Sequence, residues 1–271
     1  MSNRDSPIGV FDSGIGGLTV LRALMSCLPQ ERFVYLGDTA RLPYGTKSPD
    51  TVRRYALQAS QALKARDVKA IIIACNTASV ALPHLIEALQ PVPVIGVIEP
   101  GAEAALAIAP DGPISVIATE GTVKGGAYVR AIQSRKNIPV VQQACPLFVP
   151  ICEEGIVDGP LAEAIVRRYL DPLLAMLPRP KCLLLGCTHY PALKTVIARV
   201  AGPELALVDS AATTASAAAQ LLENRNLRNH KSASAQTRFL VTDSPDRFAR
   251  IGEIFLGEAI NPGDVELVDL Q

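Results

Sequence analysis

The chain has 271 residues, with 26 basic and 26 acidic side chains and therefore no formal net charge; 49% of it is apolar and only 4% aromatic. That length supports one large core or two modest ones. The lack of a basic surplus argues against a nucleic-acid or anionic-membrane partner, and the scarce aromatics argue against a stacking platform for single strands.

In chain order, residues 8–11 read as a buried strand, followed by Asp12-Ser13-Gly14-Ile15-Gly16-Gly17 and a helix over 18–28 that Pro29 stops. Residues 33–36 give a second strand ending at Gly37-Asp38-Thr39, and 40–45 a loop. Helical spacing covers 50–65, a third strand 70–74, a helix 78–89 and a fourth strand 92–98. Wholly apolar strands alternating with helices predict α/β architecture with parallel sheets covered on both faces. The pattern then restarts. Ile114-Ser115-Val116-Ile117-Ala118-Thr119 resembles residues 8–13 at an offset of 106, and Lys181 to His189 resembles Lys69 to Thr77 at an offset of 112. Two matches at nearly equal offset predict two similar units. Beyond 207–209 the tail reads as a helix over 211–223, a strand over 239–242, a helix opened by Ser244-Pro245 and a strand over 265–270. It is too short for a third domain. The expected division is residues 1–98 plus 210–271 as a discontinuous first domain and 99–209 as an inserted second, with the active site in the cleft between them.

No apolar run approaches bilayer length, and residues 1–7 lack the apolar centre of a secretory signal. The expected location is the cytoplasm, where the cysteines at 27, 75, 145, 152, 182 and 187 stay reduced. There is no Cys-x-x-Cys pair and no second ligand cluster near Cys187-x-His189, so no metal is expected.

Cys75 and Cys187 occupy the same place in the two units, each directly after an apolar strand and before small polar residues, Asn76-Thr77 or Thr188-His189. Ligands of parallel sheets bind beyond the carboxyl ends of the strands, so if the two units face one another, two thiols confront each other across one pocket. Facing thiols suit the inversion of a stereocentre, in which one thiolate removes a proton from carbon and the other thiol returns one to the opposite face. The remaining four cysteines lack that context and read as structural. Asp12 is either a substrate-orienting carboxylate or a turn residue before Gly14. His189 can share a proton with Cys187. The Gly14-x-Gly16-Gly17 loop reads as backbone N–H groups aimed at a small anion, with Ser13, Asn76, Thr77, Thr119, Thr122 and Thr188 adding neutral donors. A dinucleotide-binding alternative stays open, although the third glycine is misplaced for it and no Walker lysine is present. A module that binds an amino acid without exchanging its protons is a further alternative.

Asp12-Ser13-Gly14-Ile15-Gly16-Gly17, Leu42-Pro43-Tyr44-Gly45, Cys75-Asn76-Thr77-Ala78, Cys145 to Pro150 followed by Glu153, and Gly186-Cys187-Thr188-His189-Tyr190-Pro191 together resemble the glutamate racemases. The matches run in family order from residue 8 to about 210. The resemblance implies cofactor-independent interconversion of L- and D-glutamate, an isomerase activity supplying D-glutamate for peptidoglycan, in two α/β domains assembled as a homodimer. It implies Cys75 and Cys187 as the proton donor and acceptor, Asp12 assisting Cys75, and His189 backed by Glu153 assisting Cys187. Ser13, Pro43, Tyr44, Gly45, Asn76, Thr77 and Thr188 would bind substrate. Some members carry an N-terminal extension tied to activation by a cell-wall precursor. With a first strand at residue 8, neither extension nor such control is expected here. A related two-cysteine racemase acting on aspartate or another amino acid is the nearest alternative.

Overall fold

The computed structural model describes residues 4–230 and 237–270. Ten strands lie among them, in two sheets whose pairings are all parallel. The first sheet holds β1 (Ile8–Asp12), β2 (Phe33–Gly37), β3 (Ala70–Ile73), β4 (Val94–Gly96), β9 (Thr237–Val241) and β10 (Val265–Leu267), in the order β10-β9-β2-β1-β3-β4. The second holds β5 (Ile114–Ala118), β6 (Val140–Ala144), β7 (Cys182–Gly186) and β8 (Ala206–Asp209), in the order β6-β5-β7-β8. The winding of β1–β4 is thus repeated by β5–β8. The register repeats as well, Ile8 lying opposite Ala70 and Ile114 opposite Cys182. The two sequence matches mark the β1–β3 and β5–β7 pairs, interior strands of their sheets.

Burial follows from position in the sheet. β1, β2, β3, β5 and β7 are buried at every residue, whereas β6 and most of β8 are half-buried. Central strands covered by helices on both faces must be apolar throughout, and strands at an edge need not be. The α/β class, with mostly parallel sheets flanked by helices, agrees with the sequence reading. One apolar core runs from Leu18, Leu21 and Phe248 under the first sheet to Val166, Leu185 and Leu193 under the second, so the two sheets are not separately packed bodies.

Several boundaries differ from expectation. The fourth strand is shorter because Ile98 opens a helix, Ile98–Ile108, which buries Ile98, Gly101, Ala102 and Ala105 at the three- and four-residue spacing of a helix face. The helix expected over 78–89 is split into Asn76–Ser79 and Leu82–Leu89. The loop over 40–45 contains two short 3-10 turns, Thr39–Arg41 and Tyr44–Thr46. β9 pairs with β2 and β10 with β9, which places the tail strands in the first sheet. No helix among the described residues is long and apolar enough to cross a membrane.

Candidate active site

The order β2-β1-β3-β4 makes the chain wind outward in opposite senses from the β1–β3 pair, and β5–β7 repeats the arrangement. The carboxyl ends at such a reversal open a crevice. Asp12 and Ser13 leave β1, Cys75 follows β3, Thr119 follows β5 and Cys187 follows β7. A cavity of about 40 Å³ joins the two crevices; Ser13, Pro43, Tyr44, Gly45, Cys75, Asn76, Thr77, Thr119, Glu153, Cys187, Thr188 and His189 line it. A dinucleotide needs a site of roughly 300 Å³ or more, so this geometry favours a small occupant.

Cys75 caps the helix Asn76–Ser79: the Ala78 N–H donates to its Sγ at 3.4 Å, and the thiol itself donates to Ser13 Oγ at 3.4 Å. Burial pushes this thiol up to about 11, and the Asp12 carboxylate adds to the rise. Cys187 is equally buried. It lies 3.9 Å from His189 Nδ1, and burial holds it well above the usual thiol range, against the lowering effect of the His189 backbone N–H. His189 Nε2 stands 3.2 Å from Glu153 Oε1, and Arg247 Nη2 donates to Glu153 Oε2 at 3.0 Å. Burial works to raise the Glu153 carboxyl, but its contacts with His189 and Arg247 win and hold it below the ordinary value.

Asp12 lies fully buried behind the cavity wall rather than on it. Its Oδ2 accepts from the Gly14 N–H at 2.9 Å and its Oδ1 from Thr188 Oγ1 at 3.5 Å. Burial raises its pKa, opposed by His189 and by the N–H groups of Gly14, Gly17 and Ser13. This corrects one expectation: the glycine-loop amides are aimed at the protein's own Asp12 carboxylate, not outward at an anion. The glycines serve close approach. A Cβ on Gly16 would overlap the His189 ring and come within 2.6 Å of Thr188 Oγ1, and one on Gly17 would press on Asp12.

Thr122 also lies behind the wall. It closes a hydroxyl triangle with Thr77 (3.2 Å) and Thr119 (3.0 Å), whose own separation is 2.9 Å. Thr119 caps the helix Glu120–Gly125, so the triangle ties that helix to the first sheet. Among the other cysteines Cys27 is exposed, while Cys145, Cys152 and Cys182 are buried.

Four further side chains shape the site. Tyr128 Oη donates to Asn76 Oδ1 at 2.6 Å, which fixes the amide and leaves the buried Nδ2 without a partner among the described residues, as a donor at the cavity. Asp38, fully buried, accepts from Tyr44 Oη, from Arg41 Nε at 2.7 Å and from Thr242 Oγ1 at 3.0 Å, and so anchors the loop carrying Tyr44 and Gly45. Arg247 reaches the site from the helix Pro245–Leu256, as does Phe255, packed edge-on to His189 at 5.0 Å. The 52 and 94 residues separating Tyr128 and Arg247 from their partners leave no local pattern to read.

The Asp/Glu/Hydantoin racemase family model matches residues 14–218. Among curated proteins, glutamate racemases from Syntrophus aciditrophicus and Geobacter metallireducens are 48% and 46% identical over 265 residues, 97% of this chain and of each relative. The crystal structure of glutamate racemase from Francisella tularensis in complex with D-glutamate superposes with a TM-score of 0.90 at 40% identity, over 98% of both chains.

Proposed function

The chain belongs to the Asp/Glu/Hydantoin racemase family, as an isomerase of its glutamate racemase branch, and from that premise we propose that it inverts glutamate by two-base proton transfer between Cys75 and Cys187. The observation that carries this reading is that the two buried, matched strand-end thiols line one small cavity. One thiolate takes the Cα proton, leaving a carbanion delocalised into the α-carboxylate; the opposite thiol donates its proton to the other face of Cα. The first cysteine ends protonated, the second ionised, and the product is the enantiomer. The reverse direction exchanges the roles.

Both thiols are protonated in the resting pocket because burial disfavours a lone negative charge. His189 takes the Cys187 proton, and Glu153 steadies the imidazolium. On the other side Asp12 disfavours a second negative charge at Cys75, which keeps that proton available for delivery. The substrate ammonium, held near Asp12 and Ser13, lowers Cys75 when the direction reverses. The free Asn76 Nδ2 and the hydroxyls of Thr77 and Thr188 hold the carboxylates. The division into residues 1–98 plus 210–271 and residues 99–209 assigns one thiol to each unit. We place the reaction in the cytoplasm, with D-glutamate destined for peptidoglycan.

Incubating either enantiomer in D2O is expected to place deuterium at Cα and to discharge the circular dichroism of glutamate. Absence of both overturns the proposal. Interconversion of aspartate in preference to glutamate would instead move the chain to the neighbouring substrate class.

A further inference from the structure

We propose that Arg247, from the tail helix Pro245–Leu256, is a positioning residue for the Cys187 half of the site, holding Glu153 in the place from which Glu153 orients His189. The inference rests on the two-cysteine reading above and extends it to a segment beyond the 14–218 span that the family model matches.

The geometry is a line of contacts. Cys187 Sγ lies 3.9 Å from His189 Nδ1, His189 Nε2 lies 3.2 Å from Glu153 Oε1, and Glu153 Oε2 accepts from Arg247 Nη2 at 3.0 Å. Each carboxylate oxygen has its own partner, so the Glu153 plane is fixed from both ends, and with it the imidazole. The same helix presses Phe255 against the His189 ring, which restrains the remaining tilt. The Glu153 side chain is 12% exposed and that of Arg247 41%, so the guanidinium closes the line on its solvent side. The charged and titratable groups facing the pair are Cys152 beside Glu153, Cys187 just after β7, Asp12 at the end of β1, and Arg247. Arg247 is the fixed cation of this set; the others are acids or the histidine itself. Removing it raises the proton affinity of every neighbour, because each gains less from losing its proton.

The test uses the full chain with Arg247→Met and Arg247→Lys, alone and with Glu153→Gln. L- and D-glutamate have equal free energy, so kcat/KM must fall equally in both directions and cannot itself reveal which half is affected. The pH profile can. Arg247→Met is expected to lower kcat/KM about 10-fold, the cost of losing an outer partner of a working histidine. It should also move the acid limb of the profile upward by about 0.5 pH unit, a partly screened charge effect. Arg247→Lys should restore the limb, and in the Glu153→Gln background Arg247→Met should cost little more. An unshifted limb in Arg247→Met, or full additivity with Glu153→Gln, overturns the proposal, since a merely structural loss lowers the rate without moving the limb. Failure of the two-cysteine reading would show separately, as racemisation surviving Cys187→Ala.

Discussion

The two halves of the site start from the same strand-end cysteine and surround it differently. On the Cys75 side the sulfur sits against backbone: it caps a helix, touches Ser13 and lies under the influence of Asp12. On the Cys187 side the chain after the sulfur makes a turn with His189 in it, and a relay of side chains replaces the helix end. Cys75 is thus tuned by fixed dipoles and a fixed neighbouring carboxylate, Cys187 by a group that can itself take up a proton. Under the two-base proposal, two near-copies of one unit would serve as a proton holder and a proton exchanger, the division that a reaction with one protonated and one ionised thiol requires.

The comparison breaks first if either sulfur is dispensable. Cys75→Ala and Cys187→Ala are each expected to cut racemisation by about 10³-fold or more, the scale of a lost general acid–base group. Cys27→Ala, at an exposed position, should leave it intact in the same circular-dichroism assay of glutamate. The difference between the halves is sharpened by His189→Asn, expected to lower kcat/KM about 10²-fold. It should leave the ionisation of Cys75, followed by thiolate absorbance, in place. Asp12→Asn should move that ionisation downward, because a carboxylate that raises it is gone.

A packing test comes next. Gly16→Ala drives a methyl into His189 and Thr188, and should cost about 1–3 kcal/mol in denaturant unfolding, the usual penalty of overpacking. Activity lost at that variant should follow the Cys187 half. Tyr128→Phe strips the partner from Asn76 Oδ1 and should cost about 1–2 kcal/mol, read as a raised KM with kcat little changed. The smallest effect is on stability at alkaline pH. Burial raises Cys75 to about 11 and Cys182 to about 12 in the folded chain, from an ordinary value of 9.0. A raised folded value stabilises below the unfolded one and is lost as pH climbs through the folded one. The Tm should therefore fall between pH 9 and 12, and less steeply in Cys182→Ala.

The sequence was most readable where physics is local and repeated. β1, β3, β5 and β7 are apolar throughout because both faces are covered, and their repetition exposed the paired cysteines. β6 escaped notice because an edge strand tolerates Gln142 and Gln143, and the helices between 120 and 174 lay in a stretch without strand punctuation. The glycine loop was legible as a turn rich in amides but not as one folded onto Asp12, since the acceptor is set by the approach of Thr188 and His189 from the other sheet. In the sequence Asp38 reads only as the end of the second strand. Its partners Tyr44, Arg41 and Thr242 show a brace for a loop, one of them supplied 204 residues later.

The pairing of β2 with β9 aligns Phe33 with Thr237 and Gly37 with Val241, and it docks the helix that brings Arg247. Closing so long a loop carries an entropic cost that only late contacts offset, so this seam is expected to form after the inner strands have condensed. A refolding chain should then recover most of its circular dichroism before its catalytic rate. Turnover would report the closing of that seam, and a molecule still open there would be compact, folded in large part, and nearly silent.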